Sequence, residues 1–388
     1  MRLFTCWFAA LATTMVLAAQ SVTAQTPTPP LQTCQLGDLK LESGEVIRDF
    51  KMTYITFGNL NADKSNAILS IHGLQGNRNT QSYWLRNGAF DTNKYFVIQP
   101  DTLGVASTDP DATTSPTRSG LNMKFPRYNI RDMVKAEHRM LTECLGIKRL
   151  VAVAGSSMGG IETLQWAVSF PDYMAIAIPQ TPAARTNRQG NFIWESIRQA
   201  IMLDPKWRDG NYPNDDPPIA GIGVALQIQA VVGRTAAGFE EAFATRAQVH
   251  AFHASNTKRA GSSVQARDWF YRSLAIESHD IGQTPGFNGD LAAAARSIKA
   301  RVLMFPNCQD QLLPPREGGV LEIMQHIPVA KLVDYDDVGG HGGSSSARSL
   351  ALFATEVRDL LKRVEENQPG INGPRIPKNF TRPDYCPR

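Results

Sequence analysis

The chain has 388 residues, 42% hydrophobic and 20% charged, a composition that excludes disordered and fibrous classes. The formal net charge is only +4, and no basic run interleaved with aromatics gathers that excess on one face, so nucleic acid is not an expected partner. Nor is there a G-x-x-x-x-G-K-[ST], a helix-opening G-x-G-x-x-G, an H-E-x-x-H or a pair of C-x-x-C motifs, so no cofactor or metal is expected.

In chain order, Arg2 is followed by an uncharged, largely apolar stretch from Leu3 to Ala19 and then by Val22-Thr23-Ala24, with small residues at the −3 and −1 positions of a cleavage site. This predicts a signal peptide over 1–24, cleaved after Ala24, and a secreted or periplasmic mature protein without a membrane span. A membrane anchor is the weaker alternative, because the run is short for a bilayer and leads into the Pro-rich Thr26 to Pro30. Export leaves Cys34, Cys144, Cys308 and Cys386, which allow three pairings in an oxidising compartment. Cys34 and Cys386 lie in the two Pro-rich tails and are expected to pair. Cys144, in a helical pattern, and Cys308, at the end of an apolar run, are expected to pack as thiols.

After a linker over 25–38, residues 39–47 and 50–57 alternate apolar and polar side chains around a Ser-Gly turn, which predicts an antiparallel hairpin. From there, Ala67–Ile71, Tyr95–Ile98, Leu150–Ala154, Ala175–Ile178, Val302–Phe305 and Ala330–Val333 are short, largely continuous apolar runs. Most are separated by helical patterns such as Arg131–Leu145 and Ile161–Val168, as expected of strands buried on both faces of a parallel sheet. The fold class is therefore α/β, a mostly parallel central sheet with an antiparallel N-terminal edge. Its core spans 39–185 and 291–366. Residues 186–290, with helical segments at Phe192–Met202 and Ile222–Val232, are expected to form an inserted helical cap, and 367–388 a surface tail.

One motif carries chemistry. The strand Leu150–Ala154 runs into Gly155-Ser156-Ser157-Met158-Gly159 and then a helical pattern, so G-x-S-x-G occupies a strand-to-helix turn. Such a turn is sharp, and side chains two residues before and after the serine would collide with neighbouring backbone. The geometry makes Ser157 a candidate nucleophile, with the helix N-terminus beneath it offering N–H groups to a developing oxyanion. An activated serine needs a base and an acid that orients it, in the chain order Ser, Asp, His. Asp310 follows the apolar run Val302–Phe305, and His341 sits in Gly339-Gly340-His341-Gly342-Gly343 beyond the last strand. The candidate oxyanion donors are the N–H groups of Met158 and of Leu74, the latter in Ile71-His72-Gly73-Leu74-Gln75-Gly76. His72 is expected to hold that loop rather than to act as base. His250 and His253 are expected to be cap or surface residues, since two imidazoles without a carboxylate or thiolate make a weak metal site.

Asp101 to Asp109, Phe125-Pro126 with Ile130 to Val134, Gly155 to Gly160, Trp166-Ala167 with Phe170-Pro171-Asp172, Asp204-Pro205-Lys206-Trp207, and Asp310 to Pro315 together resemble the homoserine O-acetyltransferase branch of the α/β-hydrolases. The resemblance runs from about Tyr54 to Leu361. It implies a Ser157–Asp310–His341 triad, an acyl-enzyme and a helical cap. It also matches Arg198 to a cap arginine that meets the substrate carboxylate. Two motifs depart from the branch. Gly342 follows His341 where the family has an aspartate that helps hold the amino-acid acceptor, and Leu74-Gln75-Gly76 stands where the family has a Leu-Thr-Gly turn. With export separating the enzyme from acetyl-CoA, the expected activity is hydrolysis of small esters, carboxylate-bearing ones among them, with O-acetylation of homoserine or serine as the alternative. The expected partner is a small-molecule ester, and the sequence leaves a homodimer open.

Overall fold

A computed structural model of the chain describes residues 29–106, 114–260 and 264–367. The expected signal peptide, Cys386 and all of the expected tail but its first residue lie outside the described residues. Eight strands form one sheet: β1 (Gln32–Lys40), β2 (Val46–Phe57), β3 (Ala67–Ile71), β4 (Phe96–Pro100), β5 (Leu150–Ser156), β6 (Met174–Gln180), β7 (Arg301–Met304) and β8 (Ala330–Leu332). Their spatial order is β1-β2-β4-β3-β5-β6-β7-β8. The pairs β1–β2 and β2–β4 are antiparallel and every other pair is parallel.

The continuous apolar runs are explained by where their side chains go. Along β5, Ala152 and Ala154 pack into one core cluster while Val153 packs into the other on the opposite face, and along β3 Ile68 is set against Leu69 in the same way. A strand covered on both faces has no solvated side, so period-two polarity disappears. On one face lie α1 (Ser82–Arg86) and the C-terminal helix, and on the other α2 (Ile130–Arg139) and α3 (Met158–Ser169). Between β6 and β7 the chain leaves the sheet for the cap helices α4 (Arg188–Met202), α5 (Ile219–Val232), α6 (Ala236–Ala242), α7 (Arg246–Ala260) and α8 (Ala266–Glu277). Short helices α9 (Leu291–Arg296) and α10 (Val320–Ile323) lead to α11 (Ala347–Glu365), which closes the core.

The N-terminal edge differs from expectation. β1 begins at Gln32, inside the stretch expected as linker, and carries Cys34 into the sheet. Cys34 is disulfide-bonded to Cys144, with Cα atoms 5.9 Å apart, and not to Cys386. Pairing with β2 lays β1 beside the π-helical turn Met140–Cys144 that ends α2, and Arg139 reinforces the contact by donating to the carbonyl oxygens of Leu36 and of Asp38, the latter at 2.9 Å. The expectation of a thiol at Cys144 is corrected by the same bond. Cys308 is disulfide-bonded as well, so it is not a core thiol either.

Two carboxyl groups face each other between α2 and α3. Glu137 and Glu162 are fully buried, and the Trp166 indole N–H donates to Glu137 Oε2 at 2.7 Å. Burial pushes Glu137 up to about 7 and Glu162 well above the carboxylate range, and the Glu137 charge raises Glu162 further. Both groups therefore bind protons more tightly in the folded chain than in the unfolded one. The stability they contribute is complete at acid pH and is lost as pH rises past the ordinary carboxylate range and through about 7. Glu162→Gln, which mimics the protonated form, is expected to flatten the fall in Tm between about pH 5 and 8, at roughly 1–2 °C per kcal/mol for a chain of this size. Thermal melts across that range check it, and an unchanged pH slope in the variant would refute it.

Candidate active site

The central strand ends in Ser156 and α3 begins at Met158, leaving Ser157 alone at the turn with φ 59° and ψ −120°, a strained conformation for a residue with a side chain. The two motif glycines make that turn sterically feasible. A Cβ on Gly155 would lie 2.1 Å from the Gly159 carbonyl oxygen, and one on Gly159 would lie 2.4 Å from the Ile71 carbonyl oxygen. The turn is fixed further by the Ser157 N–H, which donates to the Gln180 carbonyl at 2.9 Å. Met158 opens α3, so its N–H has no partner within the helix.

The structure brings the three expected residues together. His341 Nε2 lies 2.8 Å from Ser157 Oγ, and His341 Nδ1 lies 2.6 Å from Asp310 Oδ2. The Asp310 carboxylate is buried, and its other oxygen accepts from the backbone N–H groups of Leu312 and Leu313 at 2.9 Å each. With Asp310 accepting at Nδ1–H, Nε2 is left as the acceptor for the serine hydroxyl. Acid and base stand on different loops, and Asn307 ties them together. Its side-chain N–H₂ donates to the carbonyls of Asp337 at 2.8 Å and Gly340 at 2.6 Å, while its oxygen accepts from the N–H groups of Gln309 and Asp337 at 3.1 Å. Sequence reasoning passed over Asn307, although it heads the run that contains Asp310.

The loop after β3 lies against the serine: a Cβ on Gly73 would come within 3.3 Å of Ser157 Cβ. His72 holds this loop, as expected. It is buried, its Nδ1–H donates to the Gly73 carbonyl at 2.8 Å, and its Nε2 accepts from the Thr102 N–H at 3.3 Å. Burial pushes its pKa down to about 4, so the ring is neutral at physiological pH with both nitrogens engaged. Downstream, the Arg78 N–H donates to Asp101 Oδ1 at 3.0 Å, its guanidinium pairs with the same carboxylate, and the Thr53 hydroxyl donates there at 2.6 Å.

A family model described as the alpha/beta hydrolase fold matches residues 66–342. The homoserine O-acetyltransferase of Zymomonas mobilis is 33% identical over 315 residues, covering 74% of this chain and 84% of that protein. The chain belongs to the homoserine O-acetyltransferase-like branch of the α/β-hydrolases. Among solved structures, an acetylester hydrolase from Corynebacterium glutamicum superposes with a TM-score of 0.76 at 26% identity, covering 86% of this chain and 96% of that one. A homoserine O-acetyltransferase from Bacillus anthracis superposes with a TM-score of 0.72 at 26% identity, covering 86% and 98%. The protein is thus an α/β-hydrolase-fold enzyme whose relatives are O-acetyltransferases and esterases.

Within this α/β-hydrolase, Arg198 is placed differently from what its motif implies. Its guanidinium is 3% exposed and is held between α4 and α8, donating to Glu195 at 2.7 Å, to Glu277, and to the Ser273 hydroxyl at 3.3 Å. Two carboxylates already answer its charge. Gly342 next to His341 offers only backbone, and its N–H donates to the Gly233 carbonyl of the cap at 3.1 Å. His250 and His253 are exposed along α7.

Proposed function

We propose that this α/β-hydrolase transfers an acetyl group through an acyl-enzyme on Ser157. The observation that carries the reading is the hydrogen-bonded chain Ser157 Oγ, His341, Asp310 at 2.8 and 2.6 Å, at the tip of the central strand. In the first half-reaction, Ser157 Oγ adds to the acyl carbonyl as its proton passes to His341 Nε2. Asp310 holds the ring in the required tautomer and stabilises the imidazolium. The N–H groups of Leu74 and Met158 receive the oxyanion. Collapse of the tetrahedral adduct breaks the bond to the leaving group, which takes the proton back from His341. In the second half, His341 removes the proton of an incoming O–H, whose oxygen attacks the acyl-serine and releases Ser157.

The acceptor has two readings. The relatives named homoserine O-acetyltransferase, at 31–34% identity, support a small alcohol as acceptor and acetyl-CoA as donor, and this is the leading reading. Water is the second. It is favoured by Gly342 after His341, by the two glutamates on Arg198, and by the similarity to an acetylester hydrolase. An alcohol outcompetes water only if it is bound and oriented, since water is present at about 55 M and well-placed groups reach effective molarities of ~10⁵ M or more. Export, supported by the N-terminal pattern and by the Cys34–Cys144 disulfide, would go with the second reading because it removes the enzyme from acyl-CoA. The deciding experiment gives the protein acetyl-CoA with L-homoserine or L-serine in one tube and a panel of short-chain esters in another. O-acetylated product in the first tube supports transfer. Turnover in the second tube alone assigns water, and turnover in neither dismisses the acetyl reading.

A further inference from the structure

Within the oxyanion loop, His72 and the Arg78–Asp101 pair fix the two ends, and the Gly76 N–H closes the tip by donating to the Gly73 carbonyl at 2.8 Å. At that tip, adjacent to Leu74, the half-buried Gln75 reaches out of the core to the cap. Its Nε2 donates to Gln229 Oε1 on α5, and its Oε1 accepts from Arg259 Nη2 on α7 at 2.5 Å. Arginine has only donors, so Arg259 settles which end of the Gln75 amide is oxygen and leaves the N–H₂ for Gln229. A single side chain is thereby held from two cap helices. Just beyond α5, the Gly233 carbonyl accepts from the Gly342 N–H, beside His341. The end of α5 therefore touches the oxyanion loop through Gln229 and the base loop through Gly233, four residues apart.

We infer that Gln75 is a positioning residue: the cap, through Gln229 and Arg259, fixes the Leu74 N–H at the point where the oxyanion forms. This rests on the acyl-serine reading above and applies equally whether the acceptor is water or an alcohol. Displacing a catalytic donor by about 1 Å can cost on the order of 100-fold in rate without loss of binding.

The test uses the full chain with Gln75→Ala, Arg259→Ala, Arg259→Lys and the double alanine variant. It measures kcat and KM on p-nitrophenyl acetate, the rate of fluorophosphonate labelling, and Tm. Gln75→Ala is expected to lower kcat and the labelling rate about 10- to 100-fold with KM within about twofold. Arg259→Ala should move both in the same direction, Arg259→Lys should restore part of the loss, and the double variant should fall no further than Gln75→Ala, as coupled groups do. A wild-type kcat in Gln75→Ala, a loss confined to KM, or losses that multiply in the double variant would each overturn the inference. If Gln75→Ala does not fold, the two Arg259 variants decide, with unchanged kcat counting against it. Ser157→Ala, assayed alongside, separates the two failures: turnover in that variant sinks the acyl-serine reading, whereas a wild-type kcat in Gln75→Ala with Ser157→Ala inactive sinks only the positioning role.

Discussion

Ser157→Ala is expected to lower kcat/KM on any accepted acyl donor by roughly 10⁴- to 10⁶-fold, with His341→Ala close behind. The reason is geometric: the serine hydroxyl is unreactive until a base removes its proton, and the 2.8 Å contact with His341 Nε2 places that base. Asp310→Asn should cost about 10⁴-fold, because an amide that donates to Nδ1 would leave the proton on the nitrogen that must receive one. The losses should not multiply, since the three groups act as a unit and removing any one disables the others. Turnover assays on the single and double variants, with mapping of a fluorophosphonate adduct, check all of this. An adduct on any other serine, or undiminished turnover in Ser157→Ala, would dismiss the triad.

Gly155→Ala is also expected to impair the enzyme, although it removes no functional group. The added methyl would sit 2.1 Å from the Gly159 carbonyl oxygen and 2.8 Å from Thr163 Oγ1, well inside van der Waals contact with backbone that cannot swing aside. Overpacking of this kind costs about 1–3 kcal/mol, occasionally more. Relief requires the first turn of α3 to move away from β5, which displaces Ser157 and the Met158 N–H together. We expect a lower Tm and a loss of activity on the order of 100-fold or greater. A folded variant with wild-type kcat would show that the turn tolerates the methyl and that its tightness does not matter to the chemistry.

Much of this was legible in the sequence, for identifiable reasons. β3 and β5 to β8 announce themselves because burial on both faces leaves short apolar runs, and the nucleophile turn because two glycines flank a serine at a strand-to-helix boundary. β1 was hidden. Its pairing with β2 shifts register between Gln35 and Gly37 and again between Gly37 and Leu39, which breaks the two-residue period that marks a strand. The Cys34–Cys144 bond was missed for the same reason, since a cysteine read as part of a tail has no place beside α2. Asn307 and Gln75 act through amide contacts that leave no periodic trace, the Gln75 contact spanning 154 positions along the chain. For Arg198, Glu195 three residues earlier was visible in the sequence, but Glu277, 79 residues away, was not.

The four bonds made by Asn307 have a wider consequence. Every partner of its amide is a main-chain group, on Gln309, Asp337 and Gly340, so these four bonds do not depend on which side chains those positions carry. The side chains behind the histidine add their own ties: the Ser344 hydroxyl donates to the His341 carbonyl at 3.1 Å, the Ser346 hydroxyl donates to Asp337 Oδ2 at 2.6 Å, and a Cβ on Gly343 would lie 2.6 Å from Asp337 Oδ1. Residues 342–346 are the segment in which this chain carries Gly-Gly-Ser-Ser-Ser. The His341 loop is thus tied from two sides, by one amide on the Asp310 loop and by two serine hydroxyls behind the histidine.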